Sequence, residues 1–387
     1  MCQGNDEAEA MLRLSFCEGI GPVAVHRLLD VFGSAAEVLG ASAGALRKIE
    51  GIGPETVSRI RKGPDPQKLE RELDLAERSR TRFIPSTSPD YPHPLKQLGE
   101  DAPPLLRVRG DYRRPDMLAM ALVGSRRCTH YGVSQARRFA MGLCGMEFTI
   151  VSGLARGIDA EAHRATIQAR GRTLAVLGCG LSRLDALNDP ELALEVADHG
   201  ALISELPMRA PPLPRHFPPR NRLISGLSLG VLVLEAGKKS GSLITARWAG
   251  EQGKSVFALP GQVDSSASRG CHALIRDGAT LVENPRELVE ELGPLSDPLR
   301  LPEEESDDGE AGRDTSGRTV TDPREMTLND REQTILETLG TSPLPVDSVI
   351  DSTGLPASIV SSTLLTLEIK GLIQQLPGGN YVRASGA

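Results

Sequence analysis

Short, nearly continuous apolar runs alternate with helical patterns in the middle of the chain, from about residue 117 to residue 282. Such runs are typical of the buried strands of a parallel sheet, and helices fit between them. The pattern predicts an α/β fold, an extended Rossmann-like doubly wound parallel sheet of about seven strands. The predicted strands are 118–123, 148–151, 174–177, 201–203, 231–234, 256–259 and 280–282.

Near the start of the chain, one turn sequence occurs twice. Glu-Gly-Ile-Gly-Pro stands at 18–22 and again 32 residues later at 50–54, each time before a helical pattern. This repeat resembles a tandem helix-hairpin-helix (SAM-like) fold, in which glycines bring backbone N–H groups close to a DNA phosphate. The alternative is a plain helical turn, with glycine for a positive φ and proline at a helix start. The slight acidity of residues 1–100 argues against DNA contact by this segment.

The remaining segments complete the predicted organisation. A Pro-rich connector spans 85–104, and an acidic stretch at 303–310 lacks large apolar residues, which predicts disorder. The last residues predict three helices and a β-hairpin, which together make a winged helix. The predicted domains are a helical domain at 1–84, a Rossmann-like domain at 85–293, a disordered linker at 294–325 and a winged helix at 326–387.

The charge of the chain is unevenly distributed. The net charge is −7, yet residues 101–290 hold 24 Lys and Arg against 19 Asp and Glu, a net charge of +5. The tail from 291 holds 7 against 17, a net charge of −10. The basic middle and the acidic tail therefore suggest different partners.

Cysteine usage and the apolar pattern narrow the compartment. The six cysteines are scattered without a C-x-x-C motif, which fits free thiols better than a disulfide framework or a zinc site. The N-terminus is polar and acidic, unlike a signal peptide, and no apolar run reaches the roughly 18 residues of a membrane span. We expect a cytoplasmic protein without membrane contact.

Aromatic residues make up only 3% of the chain. If the ligand is a nucleic acid, we therefore expect contacts with its phosphates rather than a long platform on which bases stack.

Several predicted strands end in loops that combine glycine with serine, arginine or lysine. In an open α/β sheet, ligands gather beyond the carboxyl ends of the strands, where helix N-termini also favour anions. Glycine allows close backbone approach, hydroxyls donate hydrogen bonds, and arginine makes bidentate phosphate contacts. This series predicts a polyanion site. The loops are 124–127, 152–159, 178–180, the end of a long Pro-rich loop at 215–222, and 235–242.

These loops exclude some chemistries and leave some residues with two interpretations. The first loop is not G-x-G-x-x-G, and no G-x-x-x-x-G-K-[ST] occurs, so neither a dinucleotide nor a Walker ATP site is predicted. No Ser-His-Asp or clustered carboxylate arrangement stands out. The competing structural roles are an N-cap for Asp159, a buried hydrogen-bonded side chain for His163, packing for Cys179, and internal salt bridges to Glu205 or Glu235 for Arg220 and Arg222.

Four groups of motifs are highly specific when they occur together. They are V-G-S-R at 123–126, S-G-L-A-R-G-I-D at 152–159 with A-H at 162–163, F-P-P-R-N-R-L-I-S-G-L-S at 217–228, and S-G-S-L-I-T-A at 240–246 with A-L-P-G at 258–261. Over roughly residues 90–290 they closely resemble the DNA-processing protein A family, also called DprA or Smf. The two end domains match that family's usual extra domains.

The resemblance implies a homodimeric protein that binds single-stranded DNA, protects incoming strands and loads the RecA recombinase onto them in natural transformation. We therefore expect no enzymatic activity, catalytic residue, metal or cofactor. By carry-over, the phosphate-binding residues are Gly124, Ser125 and Arg126 in one loop, Ser152, Gly153, Arg156 and Gly157 in the next, Arg220, Asn221 and Arg222 in a third, and Lys238, Lys239, Ser240, Gly241 and Ser242 in a fourth.

Two segments of the chain depart from the family pattern. Residues 184–188 replace a Tyr-Pro stretch, and His272 stands where asparagine is usual, so we expect a changed local shape in two loops.

The alternative function is a nucleotide or nucleoside-phosphate hydrolase that uses Asp159, Glu235 or His163. A third class, a regulator that binds DNA through the winged helix, is disfavoured because residues 325–387 hold 3 Lys and Arg against 7 Asp and Glu. We expect the winged helix to contact protein.

Overall fold

A computed structural model describes residues 3–292, 330–339, 344–369, 372–376 and 380–383. The chain forms two compact units, Met1–Gly293 and Pro294–Ala387. The predicted linker at 294–325 lies outside the described residues.

The first unit begins with six helices that contain the repeated turn. The helices are α1 (Gln3–Ser15), α2 (Pro22–Phe32), α3 (Ala35–Gly40), α4 (Ala43–Leu46), α5 (Pro54–Lys62) and α6 (Pro66–Arg78). Each copy of the turn starts a helix with proline in its first turn, α2 and α5 respectively. Arg59 donates to the Glu18 carbonyl at 3.1 Å and Arg27 to the Glu50 carbonyl at 3.5 Å, so an arginine of each repeat holds the turn of the other. The predicted helix-hairpin-helix fold is confirmed.

A nine-stranded sheet forms the centre of this unit. Its strands are β1 (Thr81–Pro85), β2 (Leu105–Gly110), β3 (Ala119–Gly124), β4 (Thr149–Ser152), β5 (Thr173–Val176), β6 (Gly200–Ser204), β7 (Gly230–Glu235), β8 (Ser255–Ala258) and β9 (Thr280–Leu281). They lie in the order β1-β2-β6-β5-β4-β3-β7-β8-β9, and β3 to β9 are parallel. The seven predicted strands and the doubly wound α/β class are confirmed.

The two additional strands are antiparallel and join the helical segment to the sheet. β1 pairs with β2, and β2 pairs with β6. β1 crosses the boundary predicted at residue 84. In β2, Arg107 is 3% exposed and forms a 2.9 Å ion pair with Glu72 of α6, which also accepts from the Met208 N–H. The sequence does not predict β2 as a strand, because an arginine in an apolar run argues against burial. Its burial becomes possible only through Glu72, which lies 35 residues away in the sequence.

Eight further α-helices lie in the described part of the unit. They are α7 (His93–Lys96), α8 (His130–Cys144), α9 (Ile158–Gln168), α10 (Pro190–His199), α11 (Phe217–Gly226), α12 (Ser242–Glu251), α13 (Arg269–Arg276) and α14 (Pro285–Leu292). Leu223 and Ile224 of α11 share one buried cluster with β3 and β7, whereas Leu192 and Val196 of α10 belong to a second cluster. Helices thus bury apolar side chains of the sheet in two separate clusters, as a doubly wound fold requires.

The second unit contains the predicted winged helix. Its described elements are α15 (Asp330–Thr338), β10 (Leu344–Pro345), α16 (Val346–Thr353), α17 (Ala357–Ile369), β11 (Ile373–Leu376) and β12 (Asn380–Arg383). The order β10-β12-β11 makes a small antiparallel sheet, and Ile335, Val349 and Leu364 share its apolar core. Three helices with a hairpin confirm this part of the fold prediction.

Candidate nucleic-acid interface

A cleft lies at the point where the order of the parallel strands reverses direction along the sheet. β3 is flanked by β4 on one side and β7 on the other, so the loops after these strands diverge and leave a crevice at their carboxyl ends. The crevice has a volume of about 670 Å³. It is lined by residues 123–127, Ala155, Asp159, Pro214, Phe217, Pro218, Arg220, Asn221, Ile224, Gly237, 239–242, Ile244 and Thr245.

The loop after β3 presents exposed arginines on a fixed backbone. The Ser125 N–H donates to the Glu235 carbonyl at 2.7 Å, and the Ser125 hydroxyl accepts from the Arg127 N–H at 3.1 Å. The Glu235 carboxylate accepts from the N–H and hydroxyl of Thr129, the N-cap of α8, at 3.0 and 2.5 Å. Arg126 and Arg127 are exposed, so their guanidinium groups are free to meet a ligand.

The loop after β4 packs beneath the first loop. Gly157 has a φ of +90°, and a Cβ there would overlap the Ser125 carbonyl oxygen, which accepts from the Ile158 N–H at 3.2 Å. The Ser152 hydroxyl is buried and donates to the Leu122 carbonyl at 2.6 Å. Arg156 is exposed but lies outside the residues that line the cleft. Glycine at 157 therefore serves the contact between two loops.

Asp159 organises this loop and is not the N-cap of its helix. The N-cap of α9 is Gly157. Asp159 is 7% exposed, and its carboxylate accepts from the N–H groups of Gly153 at 3.2 Å and Ala155 at 3.4 Å. Burial raises the pKa of this carboxyl, although the nearby Arg220 charge acts in the opposite direction.

The segment predicted to be the end of a Pro-rich loop is helical from Phe217, which corrects that expectation. Pro218 and Pro219 stand in the first turn of α11, where the N–H groups have no partner within the helix, so the prolines start the helix rather than break it. Asn221 lines the cleft and donates to the Gly241 carbonyl at 3.4 Å. At the other end of α11, Lys254 donates to the carbonyls of Gly226 and Ser228 at 2.7 and 2.6 Å.

Arg222 lies on the side of α11 away from the cleft. Its guanidinium forms two hydrogen bonds with the Glu205 carboxylate, at 2.8 and 2.6 Å, and its side chain is 10% exposed. It also donates to the Asp101 and Pro219 carbonyls. The geometry matches the internal salt bridge that was the alternative interpretation of this residue.

One aromatic ring in the cleft is shared by two arginines. The guanidinium carbons of Arg126 and Arg220 lie 5.3 and 5.8 Å from the centre of the Phe217 ring. These distances suit cation–π interactions. Phe217 is not among the binding residues predicted from the sequence, although its place at the start of the F-P-P-R-N-R motif is a signal for it.

The loop after β7 supplies a further basic side. Lys238 and Lys239 are exposed, and Lys239 lines the cleft. The hydroxyls of Ser240 and Ser242 are 2.8 Å apart at the N-terminus of α12, whose N-cap is Gly241. A helix N-terminus with neighbouring hydroxyls favours an anion.

The other titratable candidates are structural in their surroundings. His163 is fully buried, its Nδ1 lies 2.7 Å from the Thr173 hydroxyl, and burial lowers its pKa to about 3. Cys179 is 1% exposed within an apolar cluster, and burial raises its pKa to about 11. His272, one of the departures from the family pattern, lies 3.1 Å from the Gly261 carbonyl and so holds that loop.

The cleft is therefore lined by exposed cations that form no ion pair with an acidic side chain among the described residues. Arg126, Arg127 and Lys239 line it, and none of them forms an ion pair within residues 3–292. Over the described part of the chain, no three His, Cys, Asp or Glu side chains cluster as metal ligands, and no helix is long and apolar enough to cross a membrane. The arrangement suits a phosphate-bearing ligand.

Three stretches of the chain match known protein families. Residues 82–293 match the family described as DNA recombination-mediator protein A. Residues 11–63 match the SAM-like helix-hairpin-helix tandem, and residues 320–379 match the DprA winged helix domain.

Individual relatives agree with these matches. Protein Smf of Synechocystis sp. is 35% identical over 399 residues, which covers 98% of this chain and 99% of the relative. The X-ray structure of DNA processing protein A from Streptococcus pneumoniae superposes with a TM-score of 0.65 and 32% identity, over 73% of this chain and 97% of that one. A structure of DNA processing protein A from Helicobacter pylori, described for its single-stranded DNA binding mode, gives a TM-score of 0.50 and 29% identity over 55% of this chain and 95% of that one. The chain belongs to the DNA recombination-mediator protein A family, whose members are named DprA or Smf.

Proposed function

We propose that the cleft binds single-stranded DNA, chiefly through its phosphates. The observation that carries the proposal is the set of exposed, unpaired cations around the crevice at the switch point of the sheet, Arg126 and Lys239 foremost. The Ser240 and Ser242 hydroxyls and the N-terminus of α12 add neutral donors. The H. pylori relative supports the choice of a single strand as the ligand.

Within the carry-over set, we propose that the strand is touched by the exposed residues and by those cleft-lining residues that are not held in place beneath the surface by other parts of the protein. Arg222 and Ser152 are engaged beneath the surface by Glu205 and by the Leu122 carbonyl. Gly153, Gly157 and Arg220 are packed against other parts of the protein. The proposed contacts are Gly124, Ser125, Arg126, Arg156, Asn221, Lys238, Lys239, Ser240, Gly241 and Ser242.

We propose that the protein acts as a recombination mediator without enzymatic activity. As a homodimer in the cytoplasm, it would protect incoming strands and load the RecA recombinase onto them. The groups that a hydrolase would use have other roles in the fold. The Asp159 carboxylate accepts from loop N–H groups, the Glu235 carboxylate accepts from Thr129, and His163 is completely buried. These contacts favour mediation over hydrolysis of nucleotides.

The proposal is tested by titrating a labelled single-stranded oligonucleotide at several salt concentrations. Each phosphate contact contributes about 0.7 to the slope of log K against log salt on a single strand. Arg126→Ala should weaken binding and make the slope shallower by about that amount. Arg78→Ala is the matched control, because Arg78 is 75% exposed on α6 and lies outside the cleft lining.

Tight binding and turnover of a mononucleotide, with no oligonucleotide affinity, would replace this proposal with the hydrolase. RecA loading is measured separately, as the gain in RecA assembly on a strand already coated by a single-strand-binding protein. The dimer is measured by sedimentation over a range of concentrations. A monomer at all concentrations, or no gain in RecA assembly, would remove that part of the proposal.

A further inference from the structure

A buried arginine, Arg220, forms part of the floor of the proposed DNA cleft. The Arg220 side chain belongs to a residue that is 4% exposed, and its Nη1 donates to the carbonyls of Gly153, at 2.9 Å, and of Val176. Burial lowers its pKa to about 10, and the nearby Arg126 charge acts in the same direction. A guanidinium so placed needs a counter-charge inside the protein.

Asp159 supplies that counter-charge through the shared loop, since the two side chains form no direct ion pair. Its negative charge is the largest influence that raises the pKa of Arg220, and the Arg220 charge is likewise the largest influence that lowers the pKa of Asp159. Asp159 is 7% exposed, and its Oδ2 accepts from the N–H groups of both Gly153 and Ala155. The two charges are therefore tied to the same loop, the one after β4.

Gly153 is the point where both side chains meet. Its N–H donates to Asp159 and its carbonyl accepts from Arg220, so the residue is held on both sides. A Cβ at Gly153 would lie 2.5 to 2.9 Å from the Arg220 guanidinium. Glycine at this position thus makes room for an arginine of the protein itself, whereas the sequence suggested that it made room for a phosphate.

The Phe217 ring connects Arg220 with an exposed arginine of the cleft. The Arg220 guanidinium lies 5.8 Å from the centre of the Phe217 ring, and the exposed Arg126 lies 5.3 Å from the same centre. A shift of Arg220 would therefore displace Phe217, and with it the surface against which Arg126 rests.

We propose that Asp159, Gly153 and Arg220 form a positioning unit at the floor of the cleft, which fixes Phe217 and Arg126 for the DNA strand without touching the strand. The inference rests on the proposed function. It assigns Arg220 to the support of the site and reserves the phosphate contacts for exposed cations such as Arg126.

The test combines the salt titration with a signal that needs no DNA. Gly153→Ala keeps every charge and displaces Arg220, and Arg220→Gln removes the guanidinium. Both variants should weaken strand binding by about tenfold or more, because the supported side chains are misplaced, while the slope of log K against log salt stays at the wild-type value. Arg126→Ala, by contrast, should lower the slope by about 0.7.

The only tryptophan of the chain reports the position of α11 directly. Trp248 donates to the Pro218 carbonyl at 3.3 Å, next to Phe217. Its fluorescence without DNA should change in both variants and stay unchanged in Gly44→Ala, a matched control whose added Cβ would meet nothing within 4 Å. If Arg220→Gln fails to fold, Gly153→Ala and the double variant Asp159→Asn/Arg220→Gln, which leaves no unpaired charge, carry the test.

Three results would overturn the inference. A slope lowered by about 0.7 in Arg220→Gln would make Arg220 a phosphate ligand. Wild-type affinity in the variants would show that the unit positions nothing. Unchanged Trp248 fluorescence, with strand binding by the wild type intact, would refute the unit alone, whereas a wild-type protein that binds no strand would refute the proposed function and remove the role of the unit with it.

Discussion

The ion pair between Arg222 and Glu205 predicts that Arg222 stabilises the fold and does not contact DNA. Replacing Arg222 with methionine removes two hydrogen bonds to Glu205 and two to the Asp101 and Pro219 carbonyls. It also leaves a carboxylate whose side chain is 18% exposed without its partner.

The expected loss of stability follows from that burial. Breaking one side of a buried ion pair costs about 3–5 kcal/mol, and the partial exposure of Glu205 places this site near the lower end of that range. In a domain of this size each kcal/mol lowers the melting temperature by about 2–4 °C, so a decrease of roughly 6–12 °C is expected. The slope of the salt titration should stay at the wild-type value, because Arg222 does not line the cleft.

The assay is a pair of urea or thermal unfolding curves with the salt titration on the same samples. Glu205→Gln should destabilise the fold in a similar way, and the double variant should lose less than the sum of the two single variants. Stability within about 0.5 kcal/mol of wild type, together with a slope as shallow as that of Arg126→Ala, would show that Arg222 binds the strand and would refute this reasoning.

Four further predictions test other parts of the molecule. Because the pKa of His163 is lowered to about 3 in the fold, the unfolded chain takes up a proton first as the pH falls below about 6.5; stability should drop by roughly 2 kcal/mol at pH 5, and urea unfolding of His163→Gln should lack that drop. Gly157→Ala should destabilise the fold by about 2 kcal/mol or more and weaken strand binding, since the added Cβ overlaps the Ser125 carbonyl at a φ of +90°; wild-type affinity would contradict this. Glu72→Gln should cost about 3–5 kcal/mol in urea unfolding, because Arg107 is 3% exposed and keeps its charge; a change below about 0.5 kcal/mol would show that the pair does not stabilise the fold. A chain ending at residue 293 should bind oligonucleotides with the salt slope of the full chain, because residues 325–387 hold 3 Lys and Arg against 7 Asp and Glu; a shallower slope would place phosphate contacts in the winged helix.

Much of the architecture could be predicted from local patterns. Apolar runs such as 231–234 can only be buried strands when they recur between helical stretches, and the repeated turns at 18–22 and 50–54 carry their own glycine and proline signals. The basic loops follow from the same logic, since ligands collect where parallel strands end. These features depend on neighbours in the chain, and so the chain itself reveals them.

Other features depend on partners that are distant in sequence. Arg107 in β2 looks like a surface residue until Glu72 is placed against it. For Arg222 in α11 the sequence leaves Glu205 and Glu235 open as partners, and only the fold selects Glu205. The helical start of α11 was missed because two prolines favour a loop in isolation but are also suited to the first turn of a helix.

The glycines and arginines between Gly124 and Ser242 show the division most clearly. The amino-acid sequence alone determined that these loops combine small residues with cations at strand ends, and from that it predicts an anion site there. Only the tertiary structure decided which members face outward: Arg126 and Lys239 are exposed, whereas Arg220 and Gly153 are packed together beneath them. The physical reason is that the cost of burying a charge depends on the counter-charge beside it, and for Arg220 that group, Asp159, is brought close only by the fold.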